Sequence, residues 1–233
     1  MSLMCRCVCL CAASSLTLLG TAALAGRPLV TEDADVLDSQ ACEWESVGIR
    51  QRASGDPSSR SWATQLGCGF GFNSQAALFV GRSSFAGSNA HSLGLGGKTA
   101  LWPREDEGLG LTIAWGLAGA KRSGEKLEHD LSFINFVATK GLGPDWTAHA
   151  NLGWSHSKWG VGSTTSWNLA LEWSRDTGLD WMGEIYGDDR AKPWLGLGAR
   201  WAASEAWSLN ASWATQREAQ RVHLISLGAR FSF

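Results

Sequence analysis

The chain closes on an alternation in which Ile225, Leu227, Ala229, Phe231 and Phe233 share one face and Ser226, Gly228, Arg230 and Ser232 share the other. A period of two with one apolar face describes a half-buried β-strand. Such a strand, ending on an aromatic residue, suits the closing strand of an outer-membrane β-barrel, where lipid lies outside, a lumen inside, and no edge is left open. A half-buried strand of a soluble sandwich has the same pattern, so the rest of the chain must decide.

The same period recurs upstream. Trp167, Leu169, Leu171 and Trp173 oppose Asn168, Ala170, Glu172 and Ser174; Leu195, Leu197, Ala199 and Trp201 oppose Gly196, Gly198 and Arg200; Trp207, Leu209, Ala211 and Trp213 oppose Ser208, Asn210 and Ser212. Segments of about ten residues, separated by short runs of Gly, Pro, Asp, Asn and Ser, predict strands at 42–52, 61–70, 74–86, 89–101, 108–121, 127–139, 146–156, 163–174, 179–188, 193–203, 206–215 and 221–233. The predicted fold is all-β, a transmembrane antiparallel up-and-down barrel of about 12 strands occupying residues 42–233. Strand 127–139 carries Phe133, Ile134, Phe136 and Val137, which are apolar on both faces, so its facing stays open.

Helical periodicity is absent after residue 25, apart from an ambiguous Glu32 to Leu37, and residues 26–41 read as an extended periplasmic lead-in. An even strand count puts both barrel ends on the periplasmic side. Connectors near Gly55-Asp56-Pro57 and Gly87-Ser88-Asn89 are then extracellular, and Gly141-Leu142-Gly143-Pro144 is periplasmic. All the connectors are short, and none has the length to fold inward as a plug.

Tryptophan strengthens the membrane reading. All 14 tryptophans fall after residue 25, beside a single tyrosine. An indole has an apolar body and an N–H that seeks water or headgroups, which makes it a residue of membrane interfaces. Trp146 and Trp154 bracket one strand; eight residues at ~3.3 Å each, tilted by ~40°, span roughly 20 Å, close to a lipid-facing band of ~25 Å between aromatic girdles.

The amino terminus predicts export. Residues 1–25 carry one cation, Arg6, then an apolar run from Val8 to Leu24 that closes on Ala23-Leu24-Ala25, the layout of a signal peptide cleaved near Ala25. Its removal leaves 208 residues with 19 basic and 22 acidic side chains, a net charge of −3 that argues against a nucleic-acid partner. The expected site is therefore the outer membrane of a Gram-negative bacterium, with membrane lipid as one partner. The barrel-assembly machinery is the other, engaged through the strand ending at Phe233.

Four of six cysteines lie in the leader, leaving Cys42 and Cys68. In a hairpin turning at Gly55-Asp56-Pro57, opposed residues have numbers summing to about 110, and 42 and 68 do so. The pairing predicts a disulfide in an oxidising compartment, worth ~3 kcal/mol through loop closure.

The stretch Gly26-Arg27-Pro28-Leu29-Val30-Thr31-Glu32-Asp33-Ala34, the Cys42-Glu43-Trp44-Glu45 motif, the second cysteine at the end of strand two, and Leu227-Gly228-Ala229-Arg230 before the terminal aromatic resemble uncharacterised proteobacterial outer-membrane β-barrel proteins. That group is similar to the "transporter" barrels associated with aromatic-compound degradation. The resemblance implies a porin-like or hydrophobic-compound channel and carries over no functional residue.

Sites of chemistry are sparse. Glycines at 67–71 and 94–97 lack the Lys-Ser/Thr and helix of a phosphate cradle and read as strand glycines that relieve curvature or lumen crowding. The histidines at 91, 129, 149, 156 and 223 have no ligand spacing, so no metal and no cofactor is expected. A lipid-modifying barrel enzyme would need Ser, His and an orienting acid or amide at the outer face, and His156 with Ser157 and Ser163 is the sole candidate; the chain reads as a non-enzyme.

Function is therefore expected in the lumen. The face opposite the apolar residues presents Glu43, Glu45, Gln65, Lys98, His149, Asn151, Glu172, Glu184, Tyr186, Arg200, Asn210 and Arg230. These line the path of a small porin-like channel or transporter, or they pair across strands in a non-conducting structural barrel. Twelve strands lie between filled eight-stranded and open sixteen-stranded barrels, so strand number alone decides nothing.

Overall fold

A computed structural model describes residues 28–233 apart from 123, 176, 218 and 219. The expected leader, 1–25, lies outside the described residues. Twelve strands follow in chain order: β1 (Cys42–Ala53), β2 (Ser59–Gly71), β3 (Ser74–Phe85), β4 (Ser88–Trp102), β5 (Leu109–Arg122), β6 (Glu128–Gly141), β7 (Trp146–Ser157), β8 (Gly162–Trp173), β9 (Leu179–Asp188), β10 (Trp194–Ala202), β11 (Trp207–Arg217) and β12 (Arg221–Ser232). Each pairs antiparallel with its neighbours, and β1 with β12 closes the barrel. Every strand lies within two residues of its expected limits, because alternation and turn residues set both.

Closure satisfies the backbone of every strand, so the outer wall can be apolar. Leu78, Leu117, Leu152, Leu197 and Leu227 are exposed there, and eleven of the tryptophans are exposed with them. Trp146 stacks on Trp173 with centroids 6.1 Å apart near the rim that holds both barrel ends, the expected periplasmic rim. Trp159 and Trp173 are half-buried, and Trp194 is buried inside against Tyr186 at 6.0 Å.

The facing of β6 is resolved. Leu131, Phe133 and Val137 are buried inside, while Ile134 and Phe136 are exposed outside. Its register shifts opposite Ala118 and Gly119, so that Asp130 and Leu131 are both buried; a bulge of this kind breaks the alternation that a sequence reading relies on. The inner face is itself apolar here. Phe79, Phe133, Leu131 and Ala118 form one buried cluster, and Tyr186, Trp194, Ala214 and Leu224 form another. Gly94 and Gly116 make room for the rings: a Cβ at either would lie 2.1 Å from Phe79 Cζ or 2.3 Å from Phe133 Cε1.

Cys42 faces Cys68 in the β1–β2 register and is bonded to it. The segment before Cys42 corrects an expectation. Residues 28–38 are not an external lead-in; from a root at Ser39 to Ala41 they run inside the barrel, because polar side chains on the inner wall meet backbone groups that have no sheet partner.

Candidate functional site: a plugged barrel interior

The root of the inner segment is fixed where β1 begins. Gln40 N–H donates to the Gly69 carbonyl at 3.0 Å, and Gly69 N–H donates to the Ala41 carbonyl at 2.9 Å. Gly69 is needed for this approach, since a Cβ there would lie 2.2 Å from the Asp38 carbonyl oxygen. Beyond this root, side chains take over. Leu37 N–H donates to Gln75 Oε1 at 2.7 Å, and Ala34 N–H donates to Thr139 Oγ1 at 2.8 Å. The Ala34 carbonyl accepts from Thr112 Oγ1 at 2.5 Å. The Asn151 amide binds Glu32 twice, accepting from its N–H at 2.7 Å and donating to its carbonyl at 2.9 Å.

Further in, the Glu184 carboxylate accepts from the N–H groups of Val30 and Thr31, each at 3.0 Å, and from the Thr31 hydroxyl at 2.8 Å. Leu29 packs on Ala170 and Met182, and Pro28 lies against Gly198. The segment thus touches side chains or backbone from every strand from β2 to β10. Buried backbone groups must be paired, and here the wall pairs them one by one.

Charge adds to the fit. Lys98 Nζ lies 3.0 Å from both Glu32 and Asp33, with only 4% of its side chain exposed. Arg104 grips Asp35 with two nitrogens at 3.0 and 2.7 Å near the rim. Burial pushes the Glu32 carboxyl up to about 8, with Lys98 opposing and Asp33 adding to the shift. Burial also acts to raise Asp33, but the charge and hydrogen bond of Lys98 outweigh it and hold Asp33 below the usual carboxylate range.

All twelve expected lumen residues lie on the inner face, and the structure sorts ten of them into three groups. Lys98, Asn151 and Glu184 hold the inner segment. Glu172, Arg200 and His149 form a wall network: Arg200 donates to Asp180 at 2.9 Å and to Glu172, and His149 Nε2 lies 3.6 Å from Glu172. His149 Nδ1 meets Thr139 Oγ1 at 2.9 Å, which ties this network to the residue holding Ala34. On β1, β2 and β12, Gln65 donates to Glu45 at 2.6 Å and Arg230 lies 3.9 Å from Glu43. Tyr186 packs in the apolar cluster, and Asn210 stands beside Gly228 with its Oδ1 buried and without a hydrogen-bond partner.

Sequence reading missed Gln75, Thr112, Thr139 and Asp180, although Asp180 shares the parity of Glu184 and was accessible to the same argument. It also missed Glu32 and Asp33, for which the only signal was polarity in a segment without periodicity. At the outer wall His156 Nδ1 meets Ser163 Oγ at 3.1 Å in an exposed position, and no carboxylate contacts His156 among the described residues. Ser157 is turned away, buried and donating to Asp130 at 3.0 Å.

A family model described as "uncharacterised conserved protein UCP029691" matches residues 13–233. The chain belongs to this family. No curated protein matches it. Among solved structures, the KdgM porin in complex with disordered oligogalacturonate is similar at a TM-score of 0.60 and 7% identity, over 81% of this chain and 99% of that one. An outer-membrane channel from Pseudomonas putida F1 matches at 0.57 and 12%, over 86% and 98%. The translocator domain of the autotransporter NalP from Neisseria meningitidis matches at 0.52 and 16%, over 98% of each chain. At these identities the likeness establishes the fold, that of an outer-membrane barrel. A porin, a channel and a translocator share it, so fold alone leaves the activity to the interior.

Proposed function

We propose that the protein is a porin-like outer-membrane channel closed by its own N-terminal segment, which admits small polar solutes when residues 28–39 withdraw toward the periplasm. The carrying observation is the manner of attachment. Apart from the bridge between Ser39 and Gly69 at its root, the segment is held by wall side chains through hydrogen bonds and ion pairs. Such contacts can be exchanged for water one at a time, whereas a ladder strand would have to break the barrel. The Cys42–Cys68 disulfide keeps the base of the segment on the wall while the rest moves.

Withdrawal would bare Glu43, Glu45, Glu172, Asp180 and Glu184 against Lys98, Arg200 and Arg230, an acidic excess that favours cations. The second reading, a filled structural barrel, draws on the apolar clusters around Phe133 and Tyr186 in the extracellular half. Planar-bilayer conductance separates the two. The mature protein should be nearly silent, and a variant lacking 28–39 should conduct with cation preference, increased further by Arg200→Gln. A well-folded deletion variant with a flat trace would leave the structural barrel as the answer.

A further inference from the structure

The outer wall carries a recess that the channel reading does not use. Many lipid-facing positions hold Leu, Phe or Trp, but on the neighbouring strands β6, β7 and β9 four of them are Ala138, Ala148, Ala150 and Gly183. Ala138 faces Ala150 directly, Ala148 lies between Lys140 and Leu171, and Leu171 lies in turn beside Gly183. Four short side chains together leave a cavity of about 590 Å³ along this face. That volume falls within the ~300–1,000 Å³ of small-molecule sites.

Its surroundings indicate what fills it. The recess is on the membrane face, so acyl chains are what it meets. Lys140, the penultimate residue of β6, lines its periplasmic end, one row inward of the stacked Trp146 and Trp173. A lysine stem lies along apolar wall while its ammonium reaches the headgroup level. Among the described residues no ion pair occupies this ammonium. Nearby, Arg175 caps the Trp173 ring at 4.8 Å and lies 3.6 Å from Asp145, so the adjacent cation is already engaged.

We infer that the recess binds one anionic phospholipid of the periplasmic leaflet, with an acyl chain over Ala138, Ala148 and Ala150 and the phosphate at Lys140. The inference rests on the outer wall alone and stands whether or not the interior conducts. A chain seated in the recess gains contacts on three sides that bulk lipid lacks on a smooth wall, and the lysine adds a headgroup preference of about fivefold.

Native mass spectrometry of the mature protein, released from nanodiscs of equal phosphatidylglycerol and phosphatidylethanolamine, tests this directly. One retained lipid, enriched in phosphatidylglycerol, is expected. Ala150→Phe should cut retention at least tenfold, with Ala148→Leu as a milder filling variant if the first fails the heat-modifiability check for folding. Lys140→Gln should keep the lipid and lose the preference, and Ala211→Phe, at an outward position on β11, should change neither. Retention unaffected by both filling variants would overturn the proposal. So would a wild-type dimer that Ala150→Phe dissociates, because the recess would then hold a second copy; retention of both lipids in equal amounts would overturn the assignment of Lys140.

Discussion

The two halves of the barrel interior are filled by opposite means. In the half away from both barrel ends, apolar side chains pack against the wall in two separate clusters, with Phe79 and Phe133 lying over Gly94 and Gly116 and Tyr186 stacked on Trp194. In the half at the rim that holds both barrel ends the wall supplies hydrogen-bonding side chains, and their partners arrive from outside the barrel strands, on residues 28–38. The rings of the first half stay packed against the wall unless the fold is lost. The second is a binding site occupied by the chain's own terminus, and its occupant can leave.

A substitution in each half should separate these roles. Lys98→Met leaves Glu32 and Asp33 without their cation, and breaking a buried pair costs about 3–5 kcal/mol. Phe133→Ala removes a buried ring at a similar cost of about 3–5 kcal/mol. Both should lower thermal stability, but only Lys98→Met should increase conductance. If Phe133→Ala conducts and Lys98→Met does not, the comparison is inverted.

A smaller effect is expected at Glu184, which accepts from two backbone N–H groups and one hydroxyl of the segment. Glu184→Ala should weaken docking by about 2–3 kcal/mol, since hydrogen bonds to a charged group are the stronger kind. Proteolysis of folded protein by a periplasm-side protease should then cut within 28–38, where wild type is protected. Equal protection would mean that the carboxylate contributes little.

These contacts mark where sequence reading reached and where it stopped. Strand limits, the girdle and the Cys42–Cys68 pairing were legible because each is a local or register property: parity, spacing, a sum of residue numbers about a turn. The inward facing of Glu184, Asn151 and Lys98 was legible for the same reason. Their partner was not, because a side chain that lines water and one that binds an extended segment share the same parity and polarity. Thr31 to Leu37 has no period of its own; its conformation is imposed by Asn151, Thr139 and Gln75, far away in sequence. On β6 the bulge opposite Ala118 and the apolar inner clusters removed the alternation itself.

The smallest expected effect is one of pH. Docking raises the Glu32 carboxyl to about 8, so the docked segment holds a proton that the withdrawn one releases above the ordinary carboxylate range. Docking should therefore weaken as pH rises from about 4.5 through 8. Asp33, held low by Lys98, acts in the other direction, losing its contribution only in stronger acid as pH falls through its depressed value. Conductance events should be more frequent at pH 9 than at pH 6, and Glu32→Gln should flatten that rise. A wild-type profile independent of pH would detach Glu32 from docking.

The central claim is that residues 28–39 occupy the barrel and can leave it, and a thiol at Thr31 reports this most directly, since Cys42 and Cys68, the cysteines among the described residues, are joined. In folded Thr31→Cys protein, a bulky hydrophilic maleimide applied from the periplasmic side should react slowly, and adding Lys98→Met should speed the reaction toward that of an Asp38→Cys reference near the mouth. Thr31→Cys reacting as fast as Asp38→Cys in the otherwise unaltered protein would place the segment outside the barrel and contradict the account.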